Sequence, residues 1–202
     1  MKKLLIATHN QDKLKELTKE IKKLTKNKLK IYNLNDLGIK IAPEETGKTF
    51  EENAKIKAKF YGDLTGMLTL ADDGGLIIPY LKNEPGVKSR RWPGYEADDQ
   101  ELIDFTLAQL RELKKNQRCA FLQTCVCLYN PLTKKFFCRQ EKIKGYIAEK
   151  SSGKPTQGYP FRSLFVVDGL NKYYDSLTKK EHQNINHRLK AIKKLNPLQL
   201  IN

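Results

Sequence analysis

No apolar run in the 202-residue chain approaches the roughly 20 residues that a membrane-spanning helix requires. The apolar stretch over residues 1–7 is interrupted at Thr8 and His9, too soon for the core of a secretory signal. A cytoplasmic protein with no membrane partner is expected. Cysteine is scarce: Cys119, Cys125, Cys127 and Cys138 include no Cys-x-x-Cys pair, and the chain has three histidines. The paired spacings that zinc ligation favours are missing, so buried free thiols are expected among neighbours such as Phe121, Leu122 and Val126. Internal repeats and low-complexity tracts are also absent, and 39% hydrophobic with 30% charged residues excludes disordered and collagenous classes.

What the chain has in excess is positive charge. Lysine and arginine total 38 against 23 acids, a net +15. That excess attracts polyanions, so nucleotides and nucleic acid both remain open as partners. Lysines scattered over solvated helix faces would give the same sum without a binding surface. A chain of this length buries roughly 70% of its unfolded surface without a staple, enough for a single domain over 1–202, at most in two lobes sharing a core.

The apolar pattern predicts a strand over 3–7, then a loop, then a helix carrying Leu14, Leu17, Ile21 and Leu24 at spacings of three and four. A second strand is expected at 31–34. Thr49 is placed to cap a second helix with Glu51 and Glu52 in its first turn and Phe50, Ala54, Ala58 and Tyr61 on one face. A strand over 67–70 should end at Asp72-Asp73-Gly74-Gly75. A third helix is expected over 98–115, and the next segments, 119–130 and 136–148, read as strands around an Asn130-Pro131 turn. After a strand at 164–167, Thr178 and Glu181 have capping-box spacing and open a last helix through Leu195. This order predicts an α/β or α+β fold with a long mixed sheet.

Four groups of residues could carry chemistry. The loop Thr8-His9-Asn10-Gln11-Asp12-Lys13 offers an anion the amides of a helix N-terminus and the Lys13 ammonium; the plain alternative is a helix capped by Asn10. Asp72 and Asp73, with Glu44 and Glu45 from another loop, supply the hard oxygens that magnesium takes; the alternative is a solvated turn, which Asp-Asp-Gly-Gly also suits. Lys57 lies at the edge of the second helix's apolar face, to reach a phosphate or to snorkel into water. Arg188 falls on the buried stripe of the last helix and needs an acid, a carbonyl or a ligand as partner. His187 beside it reads alone as a surface residue.

In register, these segments resemble the inosine/xanthosine triphosphate pyrophosphatases (Ham1-like), which remove aberrant purine nucleotides. The matching blocks are Ala7-Thr8-His9-Asn10-Gln11-Asp12-Lys13, Glu44-Glu45-Thr46-Gly47, Thr49-Phe50 through Glu52-Asn53-Ala54, Lys57-Ala58, Leu70-Ala71-Asp72-Asp73-Gly74-Gly75-Leu76, Pro85-Gly86-Val87 with Ser89 and Arg91, and Asn186-His187-Arg188. The resemblance implies an elongated mixed sheet flanked by helical lobes, an active site in a central cleft, and a homodimer. It implies magnesium-dependent hydrolysis of a nucleoside triphosphate to the monophosphate and pyrophosphate. Carried over by position, Thr8, His9, Asn10, Gln11, Asp12, Lys13 and Lys57 hold the triphosphate; Glu45 and Asp73 bind magnesium with Asp72 in support; Asp73 activates the water, and Lys13 joins it as a catalytic residue.

The base would meet Gly74, Tyr159, Pro160, Phe161, Arg162, His182, His187 and Arg188. Here the chain departs from the family. Gly74 replaces a serine, Pro160 a glycine, Arg162 an aspartate, His182 a lysine and Asn186 a serine, so triphosphate hydrolysis with an altered base preference is what the resemblance implies. A protein that keeps the scaffold to bind nucleotides or nucleic acid without hydrolysis is the alternative.

Overall fold

The computed structural model describes residues 2–195. In chain order they form β1 (Lys2–Ile6), α1 (Gln11–Leu24), β2 (Leu29–Asn33), α2 (Phe50–Thr65), β3 (Leu68–Ile78), β4 (Glu84–Pro85), α3 (Asp99–Gln109), β5 (Cys119–Asn130), β6 (Lys135–Ile147), β7 (Phe165–Val167), β8 (Lys172–Tyr173), α4 (Lys179–Ile185) and α5 (His187–Lys194). The strands make an eight-stranded sheet in the order β2-β1-β3-β5-β6-β7-β8, with β4 on β3. β1 runs parallel to both neighbours, while β4 on β3, β7 on β6 and β8 on β7 are antiparallel. The mixed α/β class expected from the element order is the class found.

The chain forms two compact units. The first comprises the residues up to Gly74, Thr124–Glu141 and the residues from His187 onward; the second comprises Gly75–Gln123 and Lys142–Asn186. In the first unit Leu4, Leu5, Ile6 and Ala7 are all buried, because a parallel strand covered on both faces has no solvent side. The strand period of two divides them between separate cores. Leu4 and Ile6 join Leu70, Val126 and Leu128 under Leu17 and Ile21 of α1 and Ala191 and Ile192 of α5. Leu5 and Ala7 join Ala71 and Tyr129 under Ala58 and Tyr61 of α2. Thr49 caps α2 as expected, its Oγ1 accepting the Glu52 amide at 3.1 Å.

In the second unit Leu76 and Ile78 of β3 pack with Leu102 and Ile103 of α3, Ile143 and Ile147 of β6, and Phe161, Phe165 and Val167. A capping box opens α3: the Glu101 amide donates to Asp98 and the Asp98 amide to Glu101, both at 2.8 Å.

Several expectations give way. The acidic pair does not end a strand: β3 runs unbroken through Asp72, Asp73, Gly74 and Gly75 to Ile78. The third helix stops at Gln109 rather than 115. The last helix is two helices, because Asn186, at φ −53 and ψ 110, leaves the helical region and separates α4 from α5. The two-residue strands β4 and β8 carry too little pattern to be seen in sequence. Finally, Cys127 and Cys138 are joined as a disulfide, which leaves Cys119 and Cys125 as the free thiols. Pairing of β5 with β6 brings those two sulfurs together, and no linear spacing announces it.

Candidate active site

The Ala7 amide donates to the Leu70 carbonyl at 2.8 Å and extends the β1–β3 pairing one residue past Ile6 opposite Leu70, so the loop from Thr8 leaves the sheet beside Asp72. Asn10 caps α1, its Oδ1 accepting the amides of Asp12 and Lys13 at 3.0 Å each, and Thr8 Oγ1 accepts the Asn10 amide at 3.2 Å. The capped-helix reading of this loop therefore holds, and the cap also fixes Lys13. His9 Nε2 lies 3.4 Å from the Tyr61 hydroxyl, which donates to the Ile41 carbonyl at 3.0 Å. Gln11 and Asp12 are exposed.

Alternation along β3 turns Asp72 toward α1 and α5, the side taken by Leu70, and Asp73 toward α2, the side taken by Ala71. Adjacent acids thus enter separate networks. Asp72 is buried, and its Oδ2 receives Lys13 Nζ at 3.1 Å and Arg188 Nε at 3.0 Å. Arg188 also donates through Nη1 to Glu16 at 3.0 Å, so the inward arginine has acids as partners. Asp72 Oδ1 is buried with no hydrogen-bond partner among the described residues. Burial opposes ionisation of Asp72, yet Lys13, Arg188 and Lys57 hold its carboxyl below the usual carboxylate range. Burial, with Arg188 and Lys57 adding repulsion, holds Lys13 below the ordinary lysine value against the pull of Asp72. His187, read in sequence as a surface residue, is 8% exposed.

On the α2 side Lys57 Nζ lies 3.0 Å from Asp73 Oδ1 and 3.2 Å from Glu45 Oε1. Burial works against its charge, but Asp73, Glu45 and Asp72 lift Lys57 above the ordinary lysine value. Asn53 Nδ2 donates to Asp73 Oδ2 at 3.2 Å, Asn53 Oδ1 accepts the Gly47 amide at 2.8 Å, and Thr124 Oγ1 donates to the Asp73 carbonyl at 3.0 Å. A Cβ on Gly47 would stand 2.6 Å from Asn53 Oδ1, so a glycine is required there. Asn53 belongs to a matching block in which the motif reading gave it no role. The signal was its spacing of four from Lys57, which places both on one face of α2. Glu44 is exposed and outside the network.

This donor set suits magnesium. Glu45 and Asp73, from separate segments, already gather on one cation, the Lys57 ammonium, and magnesium is typically held by one or two carboxylates with substrate phosphates completing its shell. No group of three His, Cys, Asp or Glu side chains forms a ready ligand set among the described residues. The reason is the strand pleat, which commits Asp72 to Lys13 and Arg188 instead.

The residues expected to meet the base sort differently. Arg162 and His182 line a pocket of about 240 Å³ in the second unit with Thr156, Tyr174, Asp175 and Lys179. The Arg162 guanidinium lies 3.7 Å from the centroid of the Tyr159 ring, and His182 Nε2 lies 3.1 Å from the Tyr174 hydroxyl. Pro160 and Phe161 are buried, Phe161 within the unit's core, and neither lines this pocket. Gly74 continues β3, and His187 and Arg188 open α5 in the first unit.

Comparison with known proteins covers nearly the whole chain. The sequence profile of the Ham1 family matches residues 4–198. A protein of Bacillus subtilis (strain 168) named dITP/XTP pyrophosphatase is 37% identical over 198 residues, covering 98% of this chain and 97% of its own. The Staphylococcus aureus Ham1 protein superposes with a TM-score of 0.83 at 28% identity, over 98% of each chain. A HAM1 protein from Coxiella burnetii gives 0.85 at 29% identity over the full length of both. With the family profile matched over nearly the whole chain and the fold shared from end to end, the chain belongs to the Ham1 family.

Proposed function

We propose that the protein is a magnesium-dependent pyrophosphatase that cleaves a nucleoside triphosphate, an aberrant purine nucleotide, into the monophosphate and pyrophosphate. The observation that carries this reading is the meeting of Glu45 and Asp73 on Lys57 Nζ, beside a second basic set of Lys13 and Arg188. Magnesium, when bound, neutralises phosphate charge and polarises the phosphorus under attack. Glu45 and Asp73 would hold it, while Asp72, on the other face of β3, keeps Lys13 and Arg188 in place.

Lys13 and Lys57 bind the triphosphate oxygens, the Asn10 cap keeping Lys13 in place. When phosphate charge arrives, Lys57 gains a new anionic partner and releases Asp73 Oδ1. Asp73, still oriented by Asn53 Nδ2, then accepts a proton from the water that attacks the α-phosphorus. The base preference is altered from the family pattern, because Arg162 puts a donor fork where the pattern has an acceptor. Among the described residues no helix is long and apolar enough to cross a membrane. We take the enzyme to work in the cytoplasm as a homodimer, as the family resemblance implies.

The test is pyrophosphate release from a panel of deaminated and ordinary nucleoside triphosphates with and without magnesium. Turnover that needs magnesium and is abolished in Asp73→Asn is expected. Tight, salt-dependent nucleotide binding with no turnover across the panel would refute the reading in favour of a binding protein.

A further inference from the structure

Arg162 differs from the two buried arginines, Arg118 and Arg188. Arg118 gives its guanidinium to the carbonyls of Leu110, Leu113 and Ala148, and Arg188 to Asp72 and Glu16. Arg162, in the short turn Pro160–Ser163, donates no side-chain hydrogen bond and makes no ion pair within 4.0 Å among the described residues. Stacking holds it instead: the guanidinium carbon lies 3.7 Å from the Tyr159 ring centroid and 5.0 Å from that of Tyr174. Stacked against the two rings, Arg162 lines the pocket of about 240 Å³. That volume is below the roughly 300–1,000 Å³ of sites that enclose a drug-sized ligand, and suits one planar ring system.

The charges around the fork are few. Asp175 accepts from Ser152 Oγ at 2.8 Å, and burial raises its pKa while Arg162 works against that shift. Lys179 and His182 face the pocket from α4. Asp99 of α3 is engaged by the Gly158 amide at 2.6 Å and by Arg90 at 2.7 Å. Arg162 is thus a permanent cation with one acid nearby and two further basic groups in the wall. A fork of this kind favours two adjacent acceptors, and favours them most when they carry charge, since charge-assisted hydrogen bonds are about twice as strong as neutral ones.

Resting on the pyrophosphatase reading, we infer that Arg162 is a specificity-determining residue that makes this pocket select an anionic oxopurine base over a neutral one of the same shape. Xanthine and hypoxanthine form the diagnostic pair. Both are oxopurines, but xanthine in a nucleotide gives up a ring proton near neutral pH and hypoxanthine does not.

The experiment measures kcat/KM for XTP and ITP across the neutral range in wild type, Arg162→Gln and Arg162→Lys, with dissociation constants for XMP and IMP on the same proteins. Circular dichroism melting curves check that each variant is folded. In wild type the XTP:ITP ratio should rise by about tenfold as the xanthine base ionises, the scale of one charge-assisted hydrogen bond. It should be flat in Arg162→Gln and intermediate in Arg162→Lys, which keeps charge without the planar fork. Asp175→Asn should raise the ratio further. A pH-independent ratio in wild type, or one that Arg162→Gln leaves unchanged, overturns the inference. Absence of turnover with both triphosphates would instead refute the pyrophosphatase reading, and the XMP:IMP affinity ratio would then decide the role of Arg162 alone.

Discussion

Lys57 Nζ lies 3.0 Å from Asp73 Oδ1, and the same ammonium reaches Glu45 at 3.2 Å, so one lysine bridges two carboxylates from separate segments. Lys57→Met leaves those acids facing each other. Its stability should fall by about 2 kcal/mol, less than the ~3–5 kcal/mol of fully buried pairs because Glu45 is 36% exposed. Magnesium should raise the melting temperature of the variant more than that of wild type, since the ion supplies the missing charge. Calorimetry with and without magnesium reads this, and an equal shift in both proteins would contradict the arrangement. Turnover should drop by roughly 10²–10³, as when one charge-stabilising donor is removed from an active site.

Asn53 is buried and joins the Gly47 amide to Asp73 Oδ2. Asn53→Ala leaves both partners short of a bond, at a cost of roughly 1–3 kcal/mol in stability. Because Asn53 orients Asp73 rather than binding phosphate, kcat should fall while KM for the triphosphate stays near wild type. Steady-state kinetics separate the two, and a change confined to KM would place Asn53 on the substrate instead.

Asp72 is held below the usual carboxylate range by Lys13, Arg188 and Lys57 in spite of its burial. A depressed folded-state value means that its stabilisation is complete above the ordinary aspartate value and is lost as pH falls through the folded one. Asp72→Asn should be less stable at neutral pH by roughly 3–5 kcal/mol, because Lys13 and Arg188 then confront each other in a buried site. Its stability should also change less on acidification than that of wild type. Urea unfolding as a function of pH checks both.

Lys13, lowered chiefly by burial, loses its proton at a lower pH than an ordinary lysine. Because kcat/KM reports the free enzyme, its alkaline limb should fall before the usual lysine range as phosphate loses this partner. Lys13→Arg, which does not deprotonate, should remove that limb even if the absolute rate is lower. The sign for stability is opposite: a folded state that binds fewer protons than the unfolded chain gains stability as pH rises through this window. An alkaline limb unchanged in Lys13→Arg would assign it to another group.

Much of this was legible before any coordinates. The apolar periods of α1 and α2, the Asn10 and Thr49 caps and the capping box of α4 are local events within a few residues, which side-chain chemistry decides by itself. The grouping of Lys13, Lys57, Glu45 and Asp73 was legible only because several blocks matched a family in order. Spacing alone left each with an ordinary structural explanation. The break at Asn186 went unseen because both flanking segments are helical in pattern, and the disulfide because Cys127 and Cys138 meet only once β5 pairs with β6.

Sequence by itself determined which side chains this protein could bring to a polyphosphate and a divalent ion, since residue type settles charge, donor count and helix signals within one or two turns. Tertiary structure decided how they divide. Asp72 and Asp73 are neighbours in the chain, yet the pleat of β3 gives Asp72 to Lys13 and Arg188 and Asp73 to Lys57 and Asn53. Which helix waits on each face of a strand depends on how distant segments pack, and no local pattern records it.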